Sequence, residues 1–525
     1  MASLNFKGKS AVWNHHLSVP YHTLDQDAKK SLKGKDSDEN LIIHGDNLLA
    51  LKSLLPKYQG RIKCIYIDPP YNTGNEGWKY NDKVNSPLIK DWLGKAVGKD
   101  DLTKHDKWHC MMTPRLKLLR ELLSENGVLF MSIDDNEFAC LKLLIDEIFG
   151  PDNSDVIVWR KSGDSRDGKM KNTTTFRKDH EYILVVFKGK QYLNKMKELP
   201  SFINEYSNPD NDPRGPYKAG SISLKEEASD PDHRNYYTVI SPSGKKFTRR
   251  FDIPREIFHK LDKDNRIYWG KKKDAVPAIK IFINEPRHIT PYSVFLRKGT
   301  TTEGKNELRE IFDLKDKDVD IFQNPKPSVL IKTLLQLATE QDSIILDSFA
   351  GSGTTAHAVL DLNKEDGGNR KFILVEMEDY ANKITAERVR RVVKRDKLKT
   401  GFTYYTLGPA IDADTILAGK LPTYDQFAKY VFYLATGKNL MDAKKIKEKE
   451  FFVGKNGNES IYLLYKNDTK TLKTLAITLD WAQMVHAKNS GKKIVYAPAC
   501  YLDEESLDKF NIQFVSIPYN LFEKK

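Results

Sequence analysis

Short apolar runs that close on an acidic residue, separated by segments of helical periodicity, constrain this chain more than any other feature. Leu41, Ile42 and Ile43 lead through Gly45 to Asp46, and the leucines from Leu48 to Leu55 follow at helical spacing. The run IKCIYI stops at Asp68, VLFMSI stops at Asp134, and SIILD ends on Asp347. Continuous apolar runs of this length read as strands covered on both faces. Their alternation with amphipathic helices predicts a mostly parallel, doubly wound α/β sheet. Ligands of such sheets bind outside the carboxyl ends of the strands, which is where these aspartates stand.

The remainder of the chain keeps that rhythm in some stretches and departs from it in others. Residues 1–40 are polar and lysine-rich and predict a solvated lead-in. TPRLKLLRELLSENG predicts a helix with Thr113 as its cap, Pro114 at its first position and Gly127 just past its end. A second helix is expected over 137–148, then the strands VIVWR and EYILVVF, the latter from Glu181 to Phe187. From about 160 to 325 the sequence becomes turn-rich, charged and aromatic, and the α/β rhythm resumes at KPSVLIKTLLQLATEQDSIILD. After about 400 come a helix near TLAITLDWAQMVHA, the strand KIVYAPA and the closing NIQFVSIPYNLF. The expected parts are a lead-in (1–40), a first catalytic part (41–200), an insert (201–320), a second catalytic part (321–408) and a small mixed C-terminal domain (409–525).

Composition narrows the class of partner. Among 525 residues, 85 Lys and Arg stand against 72 Asp and Glu, a formal charge of +13 that favours polyanions such as nucleic acid. Cys64, Cys110, Cys140 and Cys500 are far apart with no C-x-x-C pair, so neither a zinc site nor a disulfide framework is expected. The N-terminus has no apolar signal region, and no window approaches the roughly 18 apolar residues of a membrane span, which predicts a soluble, cytoplasmic protein.

Two stretches carry chemistry. In ILDSFAGSGTTAH a strand ends at Asp347, a turn with Gly351 and Gly353 lets a ligand approach the backbone, and a helix opens with Thr354 and Thr355. The next strand, KFILVEM, closes on Glu376 and Met377, placing a carboxylate where two ribose hydroxyls could be held. The turn lacks the third glycine and the basic phosphate contacts of a dinucleotide site, so a nucleoside with a small cationic group, S-adenosylmethionine, fits better than NAD or FAD. The other stretch, IYIDPPYNTG, sets Asp68, Pro69, Pro70 and Tyr71 at a strand end. Its two prolines fix the backbone so that a carbonyl can face a pocket rather than a sheet neighbour.

DPPY at one strand end and FAGSGTT at another resemble the amino-methyltransferases that act on exocyclic amines of DNA bases. The order along the chain resembles their β group. IIHGDNLLAL, IYIDPPYNTG, MMTPRLKLLRELL, SIDDNE, NPDNDPRGPY, FQNPKP and VSIPY together resemble the modification (Mod) subunit of type III restriction-modification systems, over residues 40–408 and again at the C-terminus. The resemblance implies a Rossmann-like S-adenosylmethionine-dependent methyltransferase fold interrupted by a target-recognition insert. It implies methylation of adenine N6 in double-stranded DNA by base flipping, with Asp68 and the Pro69 carbonyl accepting the amine hydrogens and Tyr71 stacking on the base. Asp46, Phe349 and Lys326 of NPKP would lie by the cofactor, and Asp134 and Asp135 would shape the rim. In the insert, Arg214, Tyr217, Tyr236, Tyr237, Tyr268, Trp269 and the cluster Lys271, Lys272 and Lys273 suit phosphate contact and base-edge readout. A homodimer is implied, and a restriction (helicase-nuclease) subunit is a possible further partner, although the segment after 408 is short for a type III modification subunit and so speaks against binding to a restriction subunit.

Other patterns are set aside. GTTTEGKN, residues 299–306, nearly spells a phosphate loop, but Asn306 stands where magnesium requires Ser or Thr. His15 with His16 and His105 with His109 have no cluster of Cys or carboxylates around them in sequence, so solvated or core histidines are expected and no metal. The competing functions are the same chemistry on cytosine N4 or RNA, and a non-catalytic DNA-recognition subunit of a restriction complex.

Overall fold

The computed structural model describes residues 3–73, 103–163, 176–189, 192–198, 206–285, 287–315, 321–412, 415–416, 418–438, 440 and 446–517. The chain divides into two compact units, one of Met1–Leu193 with Tyr292–Lys525 and one of Asn194–Pro291.

The first unit is built on a ten-stranded sheet. Its strands are β1 (Tyr21–Gln26), β2 (Leu41–His44), β3 (Ile62–Ile67), β4 (Leu123–Ile133), β5 (Ser154–Arg160), β6 (His180–Phe187), β7 (Val294–Phe295), β8 (Ile344–Asp347), β9 (Lys371–Glu376) and β10 (Thr403–Ile411). They lie in the order β1-β10-β2-β9-β8-β3-β4-β6-β5-β7. The six strands from β10 to β4 are mutually parallel, while β1 runs against β10 and β6 runs against both β4 and β5. Every residue of β9 is buried, and β3 is buried from Cys64 to Ile67, because helices cover both faces of these central strands. The helices that matter for the site are α1 (Asn47–Tyr58), α2 (Lys104–Leu122), α3 (Phe138–Phe149), α4 (Thr301–Ile311), α5 (Ser328–Ala338), α6 (Thr354–Asp366) and α7 (Glu387–Arg395). The chain leaves β2 through α1 and enters β3 beyond two intervening strands, so the carboxyl ends of β2, β3, β8 and β9 converge at a switch point.

Several local expectations are corrected. Helix α2 starts at Lys104, so Thr113 and Pro114 lie inside it, and Gly127 falls within β4. Trp108, Cys110, Met111 and Met112 upstream of the proline are all buried, and that apolar face holds the helix through the missing N–H. The lead-in is also structured: Phe6, Val12, Val19 and Tyr21 join the core, and β1 pairs with β10. His15 and His16 are buried. The compact insert ends at Pro291 rather than 320, because Phe295 adds β7 to β5 and α4 packs on α7.

Beyond β10, helix α8 (Tyr424–Thr436) packs on α1 and on a four-stranded sheet of β11 (Phe452–Asn456), β12 (Glu459–Leu463), β13 (Lys493–Ala497) and β14 (Ile512–Ser516). Phe427, Val431 and Tyr465 share one hydrophobic core with the leucines of α1. Gly74, and Pro518 and Tyr519 of VSIPY, lie outside the described residues. No described helix is long and apolar enough to cross a membrane.

The second unit has an antiparallel sheet of Tyr217–Ser221, Ala278–Phe282 and Ile267–Tyr268, and a hairpin of Tyr236–Ile240 with Lys246–Arg250. Tyr237, Phe251, Phe258 and Trp269 form its aromatic core.

Candidate active site

A cavity of about 380 Å³ opens at the switch point, walled by the ends of β3, β8 and β9, by α1 and α2, and by the segment before α5. Of the expected cofactor residues, Asp46, Asp68, Lys326, Asp347, Phe349, Gly351, Thr354, Thr355, Glu376 and Met377 line it. Gly353 stands behind the wall at the start of α6. Its φ is +78°, and a Cβ there would meet the Thr385 carbonyl at 2.8 Å, so only glycine makes this turn without strain.

The acids of the cavity have distinct surroundings. One Asp347 carboxylate oxygen accepts the Phe349 N–H at 3.0 Å and the other accepts the Thr355 hydroxyl, which ties the strand end to the helix start. Burial pushes the Asp347 carboxyl up to about 7 against those two donors. Glu376 accepts the N–H groups of Gly351 at 2.7 Å and Glu378 at 2.9 Å, and burial still raises its carboxyl above the usual range. Asp46 caps α1 by accepting from the N–H groups of Leu48 and Leu49 while also facing the cavity.

Residues missed in the sequence complete this side. The amide of Asn47 donates to the Ser348 carbonyl at 3.1 Å, and Arg115 in turn donates to Asn47 Oδ1 at 2.6 Å. Phe322 and Tyr380 meet edge to face on the wall. Under the glycine turn, the fully buried Arg388 donates to the hydroxyls of Ser352 at 3.1 Å and Thr354 at 2.7 Å, and to Glu307 at 3.1 Å. The signal available for Arg115 was a charge on the apolar face of a helix; Arg388 gave none.

At the DPPY corner the contacts are tighter. Lys326 Nζ donates to both oxygens of Asp68, at 2.8 and 2.7 Å, and lies 2.9 Å from the Tyr71 hydroxyl. The Tyr71 hydroxyl donates to Asp68 at 2.8 Å and reaches Glu181 at 3.1 Å. Glu181, unforeseen in this place, also pairs with Lys161 at 3.2 Å. Burial would raise its carboxyl, but Lys326 and Lys161 outweigh burial and hold it below the usual range. Burial and the neighbouring Asp68 carboxylate push the Tyr71 phenol well above its ordinary value, so it stays a hydrogen-bond donor. The indole of Trp108 donates to the Pro70 carbonyl at 2.6 Å. Pro69 and Tyr71 do not wall the cavity; they stand beside Asp68 at its edge.

Below the corner, Asn72 adopts a left-handed φ of +60° and its amide donates to the buried Glu137, which also meets His105 and lies 3.6 Å from His109. A single described carboxylate, not a cluster, accompanies these histidines, and His109 is buried in the core. Among the described residues, no group of three His, Cys, Asp or Glu could hold a metal ion. Asp134 is bound to Asn136 and Asp135 to Lys178, and neither walls the cavity.

In the second unit the expected DNA-facing residues divide. Arg214 is committed to Asp212 at 2.9 Å and Asp264 at 3.1 Å, with its guanidinium over Phe282. Tyr217 is buried with its hydroxyl on Asp210, and Tyr237 is buried with its hydroxyl on the Ile253 carbonyl, so both serve packing rather than contact with a partner. Trp269 is buried as well. Tyr236 and Tyr268 are half-buried, and Lys271, Lys272 and Lys273 are exposed on a turn.

The lining tests the expected donor. Its acids, Asp46, Asp68, Asp347, Glu376 and Glu378, outnumber its cations, and both cations are engaged, Arg115 by Asn47 and Lys326 by Asp68. Such a lining suits a nucleoside bearing positive charge and not a pyrophosphate. A doubly wound sheet with a nucleoside cavity at its switch point and an acid-proline corner at the cavity's edge defines an α/β group-transfer class. The chain belongs to the DNA methylase family, whose model matches residues 62–387. It is 31% identical over 409 residues to the Mod subunit of the type III restriction-modification enzyme StyLTI of Salmonella typhimurium, covering 72% of this chain and 60% of that protein. It is 31% identical over 465 residues to the EcoPI Mod subunit of Escherichia phage P1, covering 75% and 68%. To the type II methyltransferase M.KpnI of Klebsiella pneumoniae it is 30% identical over 377 residues, covering 68% and 84%.

Proposed function

We propose that this chain is a site-specific DNA methyltransferase that transfers a methyl group from S-adenosylmethionine to adenine N6, as the modification subunit of a restriction-modification system. The observation that carries this reading is that Asp68 of the DPPY corner shares one cavity with Glu376 and the glycine turn. S-adenosylmethionine supplies an electrophilic methyl group on a sulfonium. Glu376 holds the ribose hydroxyls, and the Asp347–Thr355 tie keeps the turn in shape for the nucleoside. The lone pair of an exocyclic amine is delocalised into its ring, so the amine attacks only when acceptors draw its hydrogens out of the ring plane. Asp68 and the Pro69 carbonyl are those acceptors, because the Pro70 carbonyl is committed to Trp108. Extruding the base costs a few kcal/mol, which stacking on Tyr71 partly offsets.

The second unit is the target-recognition domain, with Lys271, Lys272 and Lys273 on phosphates. The working form is a cytoplasmic homodimer in which one protomer reads DNA while its partner methylates, and a restriction subunit is its further partner; light scattering that finds a monomer on DNA removes the dimer. The function is tested by incubating the protein with methyl-labelled donor and DNA and resolving the digested nucleosides. Label in N6-methyladenine is expected. Label in N4-methylcytosine, or in no nucleoside, overturns the reading.

A further inference from the structure

Lys326 stands where a substrate amine would have to stand. Its side chain is 9% exposed, and its Nζ presents N–H groups to both oxygens of Asp68 at 2.8 and 2.7 Å. The Tyr71 hydroxyl already donates to the same acid at 2.8 Å, so an exocyclic amine bound there would be a third donor competing with the ammonium for its oxygens. The main chain that carries Lys326 is fixed. The Thr354 hydroxyl of α6 donates to the Lys326 carbonyl at 3.2 Å. From the other side Gly304 of α4 approaches so closely that a Cβ there would fall 2.3 Å from the Pro325 carbonyl oxygen. This close approach accounts for the glycine in GTTTEGKN.

The side chain has a second carboxylate to go to. Glu181 Oε2 lies 3.6 Å from Nζ, and a shift of about 1 Å would give a charge-assisted contact of ordinary length. In the transfer proposed above, the S–CH3 bond breaks with its electron pair left on sulfur, the N–CH3 bond forms, and the surplus amine proton passes to solvent. The cavity's ligand therefore enters as a cation and leaves as a neutral thioether.

We propose that Lys326 sets the discrimination between charged donor and spent thioether: its ammonium holds Asp68 when the cavity contains neither sulfonium nor amine, moves toward Glu181 when a sulfonium shares the cavity, and returns to Asp68 after transfer, competing there with the methylated amine. The proposal rests on the methyltransferase reading. Like charges in a partly dry cavity repel by enough to change a binding ratio at least about tenfold.

The test is calorimetric titration of the full chain with S-adenosylmethionine and with S-adenosylhomocysteine. Removing the ammonium in Lys326→Met leaves Asp68 and Glu181 to attract only the sulfonium, so the ratio of thioether Kd to donor Kd rises about tenfold or more. Lys326→Gln keeps an amide donor on Asp68 and must move the ratio the same way, which decides the matter if the methionine variant does not fold. Glu181→Gln must move it in the opposite direction. A ratio within twofold of wild type in a variant with native circular dichroism overturns the proposal. If wild type binds neither ligand, the methyltransferase reading falls and this inference with it; binding of both with an unmoved ratio removes this inference alone.

Discussion

The indole nitrogen of Trp108 donates to the carbonyl of Pro70 at 2.6 Å, tying helix α2 to the corner that follows β3. The corner is thereby held on both sides, by Trp108 at its second proline and by Lys326 at its acid. Trp108→Phe keeps most of the packing but leaves a partly buried acceptor unmet, at a cost of about 1–3 kcal/mol. Urea unfolding should show that loss. The turnover number for methyl transfer should fall about tenfold or more with little change in donor Kd, since misplacing a reacting group weakens chemistry before binding.

Arg388 bonds the turn hydroxyls of Ser352 and Thr354 and pairs with Glu307. Arg388→Leu removes a buried donor from the Ser352 and Thr354 hydroxyls and leaves Glu307 to its bonds from Ser328, at a cost of about 1–3 kcal/mol. The melting temperature should drop, and donor affinity should drop with it because the turn loses its support. A variant with wild-type donor Kd would show that the clamp does not shape the cavity.

Asp347 gives the apo protein a pH signature. Its carboxyl is raised to about 7 in the fold by burial, whereas in the unfolded chain it ionises near 4. Between those values the unfolded state binds fewer protons than the native state, so the group's contribution to stability declines as pH rises and levels off above about 7. Asp347→Asn should flatten this slope. Urea midpoints at pH 5, 6, 7 and 8, measured without cofactor, compare the two proteins.

The exposed lysines and the ion-paired, half-buried Arg214 of the second unit should separate in their effects. Replacing Lys271, Lys272 and Lys273 together by serine should weaken DNA binding uniformly across sequences. The salt dependence of binding should become shallower by about 1 for each phosphate that no longer meets a lysine. Arg214→Ala should instead destabilise the unit, because it strips Asp212 and Asp264 of a partner. Filter binding from low to moderate salt and thermal melts distinguish the two outcomes.

What the sequence reveals follows from which interactions are local. DPPY, the glycine turn and Glu376 are each joined to a strand end, so the strand pattern alone points them at the same edge of the sheet. Glu181 was hidden by strand direction. β6 runs antiparallel to β4 and β5, so its first residues lie where the neighbouring parallel strand β4 ends, and an apolar run carries no mark of its direction. Lys326 was legible as a cavity residue, but its grip on Asp68, 258 positions away, depends on how the segment before α5 lies across the cavity. Tyr217 and Tyr237 looked like partner-facing aromatics because composition cannot separate a ring that fills a small core from one that meets DNA. The long α2 was missed because a proline signal was read as a start, when the apolar face of Trp108–Met112 carries the helix through it.

That Asp68 holds the target amine is checked by measuring methyl transfer from labelled S-adenosylmethionine to DNA by wild type and Asp68→Ala, alongside DNA and donor affinities. Transfer by the variant should fall by about 10³-fold or more while both affinities stay within a few-fold of wild type. Transfer within tenfold of wild type by a folded Asp68→Ala would contradict the account.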